Sequence, residues 1–209
     1  MQKDLPIYNY VMLDDKTGID VISFVSEAAM EETFVALSAE TPIVQLAKDK
    51  TRYELTAPVI VPERLIRRNN IKGGPGYAKF SAAETDRVRS QFMRTGRIDL
   101  ANTEHDDARP VDAQLVELWA IEDPQRDKSA ALGFKNLPKG TLMATYRVND
   151  PQYWADYVET SKVTGFSLQG NFGVVPVTLA AEVPDPLDVL IKAIIDELLP
   201  TEKSGKKSL

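Results

Sequence analysis

Short runs of β-branched and aromatic residues, each closed by glycine, proline or a charged turn, constrain this chain more than any other feature. Residues 19–25 read as a strand, because Ile19, Val21, Ile22, Phe24 and Val25 suit a pleated, half-buried surface. Residues 52–62 read as another, with Pro58 and Pro62 pointing to a sheet edge or a strand end. Residues 72–76 hold three glycines and a proline, the composition of a turn or hairpin loop. Residues 111–121 alternate: Val111, Ala113, Leu115, Glu117, Trp119 and Ile121 share one face, and Asp112, Gln114, Val116, Leu118 and Ala120 share the other. Further strands are expected at 141–148, 164–169 and 174–179, and the patterns as a whole allow about seven.

Helical signals are fewer. Ser81 and Glu84 form an S-x-x-E capping box at the head of a helix over 81–95, with Ala82, Val88 and Phe92 on one face and Gly96 after its end. Asp150-Pro151 opens a second helix over 150–161, with Trp154, Tyr157 and Val158 facing inward. Leu187, Leu190, Ile191, Ile194, Ile195 and Leu198 recur at helical spacing over 186–199, where Pro200 stops the pattern. This last apolar stripe packs on the core or meets a partner or twin subunit. Residues 1–200 are expected to form one domain including that helix, and 201–209 a polar, disordered tail.

Composition removes whole classes of chemistry. The chain has 209 residues and a net charge of −6, which argues against nucleic-acid binding driven by phosphate neutralisation. It has no cysteine, so thiol nucleophiles, disulfides and cysteine metal sites are excluded together. Residues 1–10 lack a basic start followed by an apolar run, and no stretch is long enough to span a bilayer; a cytoplasmic protein without membrane partners is expected. There is one histidine, His105. Metal sites needing two or three imidazoles are therefore excluded, and any reaction using an imidazole to move protons near neutral pH has a single candidate.

His105 lies in the polar run Asn102-Thr103-Glu104-His105-Asp106-Asp107, just before the 111–121 strand. A metal-dependent hydrolase built on Glu104, His105, Asp106 and Asp107 is disfavoured, since adjacent acids in one loop usually form a solvated surface. Ser167 stands in Gly165-Phe166-Ser167-Leu168-Gln169-Gly170, where alternation puts Phe166 and Leu168 on one face and Gly165, Ser167 and Gln169 on the other. The flanking glycines leave room for a substrate. Gln169 stands where a G-x-S-x-G elbow requires glycine, so that motif is not matched. Glu117, within an apolar face, needs a partner: a structural arginine, which periodicity favours, or His105. A nucleophilic serine needs a base within reach and gains from an acid that orients the base.

The ordered series of motifs resembles the phage prohead proteases of the XkdF-like group, distant relatives of the herpesvirus assembly proteases. Gly18-Ile19-Asp20-Val21-Ile22-Ser23-Phe24-Val25 is similar to the group's opening strand, and Ala57-Pro58-Val59-Ile60-Val61-Pro62 to its early core strand. Phe80-Ser81-Ala82-Ala83-Glu84-Thr85 and Gln91-Phe92-Met93 resemble its helix, and Asn102-Thr103-Glu104-His105 its histidine motif. Val116-Glu117-Leu118-Trp119-Ala120-Ile121-Glu122-Asp123 resembles its V-E-S-W-I-x-E-D strand, and Leu137-Pro138-Lys139-Gly140-Thr141, Trp154 and Gly165-Phe166-Ser167 complete the series. Leu118 replaces a common serine, and Ser26-Glu27-Ala28-Ala29 replaces a D-E-P-A run.

The resemblance implies an α/β (α+β) fold, a mainly antiparallel β-barrel surrounded by helices as in the herpesvirus proteases. It implies Ser167 as nucleophile, His105 as base and Glu117 as third member, with Glu182 as the alternative because the herpesvirus relatives take that residue from after the serine. It further implies a serine endopeptidase without metal or organic cofactor, acting inside the procapsid in the host cytoplasm. Its substrates would be scaffold and major capsid precursor proteins and the protease itself, and a homo-oligomer is compatible with the family. The alternative is a catalytically inactive structural or scaffold-like virion protein on the same fold.

Overall fold

The computed structural model describes residues 5–26, 46–95 and 98–177. The chain divides into two compact units, Met1–Val177 and Thr178–Leu209. The second unit lies outside the described residues, as do the expected helix 186–199, the tail, Glu182, Gly96 and residues 27–45.

The first unit is mixed α/β, with most of its described helix and strand residues in three four-stranded sheets. One sheet has the order β12 (Gly173–Pro176), β1 (Ile7–Val11), β6 (Gly74–Lys79), β5 (Ile66–Ile71). A second runs β3 (Ala47–Asp49), β4 (Glu54–Ile60), β10 (Leu142–Val148), β9 (Ala113–Ala120). The third runs β11 (Gly165–Asn171), β2 (Gly18–Val25), β7 (Ala101–Thr103), β8 (Asp106–Val111). All pairings are antiparallel except β1–β6 and β2–β7.

The expected barrel is not seen as one closed ladder among the described residues. The sheet ends show why these strands stop pairing. β8 exposes Asp107, Arg109 and Pro110, and β5 exposes Arg67, Asn69 and Asn70. Charges and proline on an outer strand discourage a further partner. Among the described residues the helices are α1 (Ala82–Thr95), α2 (Lys128–Ala131) and α3 (Pro151–Tyr153), which continues as a π-helical turn over Trp154–Glu159.

Pro58 lies inside β4, which has neighbours on both sides, and not at a strand end. It is accommodated because β3 pairs only with Glu54, Leu55 and Thr56, and because the β10 register shifts beside Pro58. The missing N–H therefore falls where the ladder is already interrupted. The expected loop at 72–76 tightens to Lys72 and Gly73, both at positive φ (52° and 89°), while Gly74 and Gly76 continue into β6. A two-residue turn of this hand matches the twist of its strands.

α1 begins as its sequence suggests, with the Glu84 N–H donating to Ser81 Oγ at 3.1 Å. The return arm of the capping box is diverted: the Glu84 carboxylate accepts from the Met12 N–H and from Arg87, tying the helix to the segment after β1. Thr85, Val88 and Phe92 form the buried face against β2 and β10; Ala82 is exposed. At 150–161, Asp150 caps through Gln152 N–H, and Trp154 and Val158 are buried while Tyr157 stacks on Tyr153.

The main core joins Ile22, Phe24, Leu55, Phe92, Tyr146 and Phe166 among others. A smaller cluster of Val61, Ile121, Phe134, Leu137 and Met143 covers the other face of β10. Phe24 stacks on Phe166 at 5.1 Å, and both rings meet Tyr146 edge-on at about 5.5 Å. Such aromatic pairs contribute roughly 0.5–1.5 kcal/mol each beyond their area burial. This cluster fixes the register of β2 against β11.

Candidate active site

The site begins with that register. Phe24 opposes Phe166 and Ser23 opposes Ser167 in the antiparallel β2–β11 pair. Side chains alternate along a strand, so sinking the two phenylalanines into the core turns both serines to the opposite face. Ser23 is fully buried and Ser167 is 4% exposed.

His105 reaches this face from the other side of the sheet. β7 runs parallel to β2, with Asn102 beside Ser23 and Thr103 beside Phe24. Thr103 then pairs with Asp106 across a two-residue turn of Glu104 and His105. Both turn residues have positive φ, 56° and 59°. Such a turn ordinarily prefers Asn-Gly, and non-glycine residues held in this region cost about 1–2 kcal/mol each. The turn is held by Glu104 itself: its N–H donates to the Phe24 carbonyl at 3.0 Å, and its carboxylate accepts from the Ser26 N–H at 2.6 Å.

The turn delivers the imidazole between the two serines. His105 Nε2 lies 3.1 Å from Ser167 Oγ, and Nδ1 lies 2.9 Å from Ser23 Oγ. Burial lowers the His105 pKa from its ordinary value; the Glu104 carboxylate opposes this, and the Arg68 guanidinium adds to it. The imidazole is therefore neutral near pH 7, with one nitrogen able to accept a proton.

Glu117 does not join them. It is exposed on β9, in another sheet, where its carboxylate accepts from Lys128 and from Thr145 Oγ1. The β9–β10 register explains this placement: Leu115 opposes Tyr146, but Glu117 opposes Thr145, because one extra β9 residue intervenes. The irregularity turns Glu117 off the face of Leu115. Its partner is a lysine, neither an arginine nor His105. The group at Nδ1 is Ser23, a residue that the pattern of an apolar strand conceals. Its one visible signal was a lone hydroxyl at the position between Ile22 and Phe24.

The acidic residues around His105 diverge. Glu104 turns to Ser26, Asp106 accepts from Arg109 and the Ala108 N–H, and Asp107 accepts from Asn102. Among the described residues no group of three His, Cys, Asp or Glu side chains converges on a metal position. None of their helices is long and apolar enough to cross a membrane.

A cleft of about 350 Å³ opens beside His105, lined by Tyr10, Arg68, His105 and the run from Leu168 to Phe172. Arg68 donates from Nε to Tyr10 Oη at 2.8 Å, which fixes its guanidinium at the cleft wall. β11 ends its sheet among the described residues, and its exposure rises from buried Ser167 to exposed Gly170 and Asn171. Searches against protein-family models, curated proteins and solved structures gave no match to this chain.

Proposed function

We propose that this protein is a serine endopeptidase of the procapsid-maturation type, with Ser167 as nucleophile and His105 as its base. The observation that carries the reading is the 3.1 Å contact between Ser167 Oγ and His105 Nε2. It lies within the range expected of a nucleophile and its general base. The depressed His105 pKa keeps that base unprotonated at neutral pH.

In the proposed reaction, the Ser167 oxygen attacks a peptide carbonyl as Nε2 takes the hydroxyl proton. Collapse of the tetrahedral intermediate breaks the C–N bond, and Nε2–H supplies the proton to the leaving amine. Water then attacks the Ser167 ester with His105 again as base, releasing the acid and restoring the serine hydroxyl. An extended substrate lies along the Leu168–Asn171 end of β11, where backbone groups on the terminal strand can pair with it. The three sheets and their flanking helices are, in this reading, the barrel-and-helix body of the herpesvirus-type assembly proteases. The substrates are scaffold and capsid precursor proteins and the protease itself, met inside the procapsid in the host cytoplasm, in a monomer or homo-oligomer.

The burial of Ser167 favours a second reading, a catalytically inactive structural or scaffold-like protein in which the Ser–His contact only closes the sheet face. Mass spectrometry of a co-expressed scaffold or capsid precursor separates the two. The protease reading expects defined fragments with the wild type and intact precursor with Ser167→Ala. Equal processing by both proteins, or none by either, rejects it.

A further inference from the structure

We infer that Ser23 is the positioning residue of this site: its hydroxyl oxygen accepts a hydrogen bond from His105 Nδ1–H and so leaves Nε2 free to act on Ser167. The inference rests on the proposed Ser167–His105 pair and says which hydroxyl does which job. The 2.9 Å and 3.1 Å contacts alone are nearly symmetric, and the neutral ring can donate through only one nitrogen.

The topology breaks the symmetry. β2 lies between β11 and β7, so the strand carrying Ser23 has a neighbour on each edge. Among the described residues β11 ends the sheet, and the cleft is lined by the residues that follow Ser167, Leu168 to Phe172. Ser167, 4% exposed, directly precedes the cleft-lining Leu168, whereas Ser23 is fully buried with a strand on either side. The hydroxyl that must be deprotonated is therefore the one at Nε2, and the ring proton must sit on Nδ1.

Ser23 then performs the orienting part of what a carboxylate does in a Ser-His-Asp triad, holding the ring and its tautomer. It supplies no negative charge. Glu104, adjacent in the turn and fixed by the Ser26 N–H, is a carboxylate whose charge reaches the imidazole.

With a single histidine in the chain, ¹⁵N-histidine labelling reports this ring alone. At a pH where the ring is neutral, the wild type is expected to show Nδ1 protonated and Nε2 unprotonated. Ser23→Ala should shift the proton towards Nε2 and slow fluorophosphonate labelling of Ser167 roughly tenfold, the scale of one neutral hydrogen bond. Ser23→Thr, which retains a hydroxyl, should keep the wild-type tautomer. A wild-type ring protonated on Nε2, or a fluorophosphonate adduct mapped to Ser23, overturns the inference without requiring any variant to fold. A ring protonated on Nδ1 in a protein that takes no label supports Ser23 as the ring's anchor while rejecting the protease reading.

Discussion

Ser23 and Ser167 sit directly opposite each other on β2 and β11 and hold one imidazole from both sides, through Nδ1 at 2.9 Å and Nε2 at 3.1 Å. The arrangement joins three neighbouring strands, because His105 arrives from the β7–β8 turn and leans across β2 to reach β11. Its stability and the chemistry proposed for it therefore depend on the same sheet register.

In the proposed protease, the charge environment of His105 sets the acid limit of activity. Burial lowers its pKa first, Glu104 raises it, and Arg68 lowers it. Only the neutral ring can serve as base, so activity falls as pH drops through this depressed pKa and is full above it. Arg68→Ala should move the acid limb to higher pH, and Glu104→Gln should move it to lower pH. NMR titration of the sole histidine, run beside the pH dependence of Ser167 labelling, checks both directions.

Glu117→Gln should leave catalysis unchanged. Its carboxylate pairs with Lys128 at the surface, and exposed ion pairs contribute about 0–1 kcal/mol. Labelling rate and thermal midpoint should stay close to wild type. A large loss of labelling in a folded Glu117→Gln protein would return Glu117 to the catalytic group.

Gly170→Ala should damage both fold and site. A Cβ at this position would fall 2.1 Å from the Gly18 carbonyl oxygen, a backbone atom on the paired strand. The β11–β2 register already shifts between Gln169 and Gly170, so the two backbones approach closely there. Overpacking of this kind typically costs about 1–3 kcal/mol, and the strand that must move lines the cleft. Denaturant unfolding and Ser167 labelling should both register the change.

Much of this site was legible in the strand patterns. Alternation in 164–169 assigns Phe166 and Ser167 to opposite faces, and the stacking of Phe166 on Phe24 is the physical counterpart of that pattern. The single histidine singled out His105. Glu117 misled because period-two counting assumes an unbroken strand, whereas the β9 irregularity changes which face it joins. Ser23 escaped notice because its partner arrives from residues 82 positions away, through a turn of two non-glycine residues at positive φ that no local signal announces. Pairing between sheets is likewise a tertiary outcome, so strand patterns gave no view of where the β8 and β5 edges would stop the ladder.

The most direct measurement is fragment mapping by mass spectrometry after co-expression of a capsid or scaffold precursor with wild-type protein and with Ser167→Ala. Removing this one hydroxyl should cost only about 1 kcal/mol of stability, so the variant should remain folded. The account predicts discrete precursor fragments with the wild type and none with the folded variant. Identical fragments from both proteins, or an intact precursor with the wild type, would contradict it.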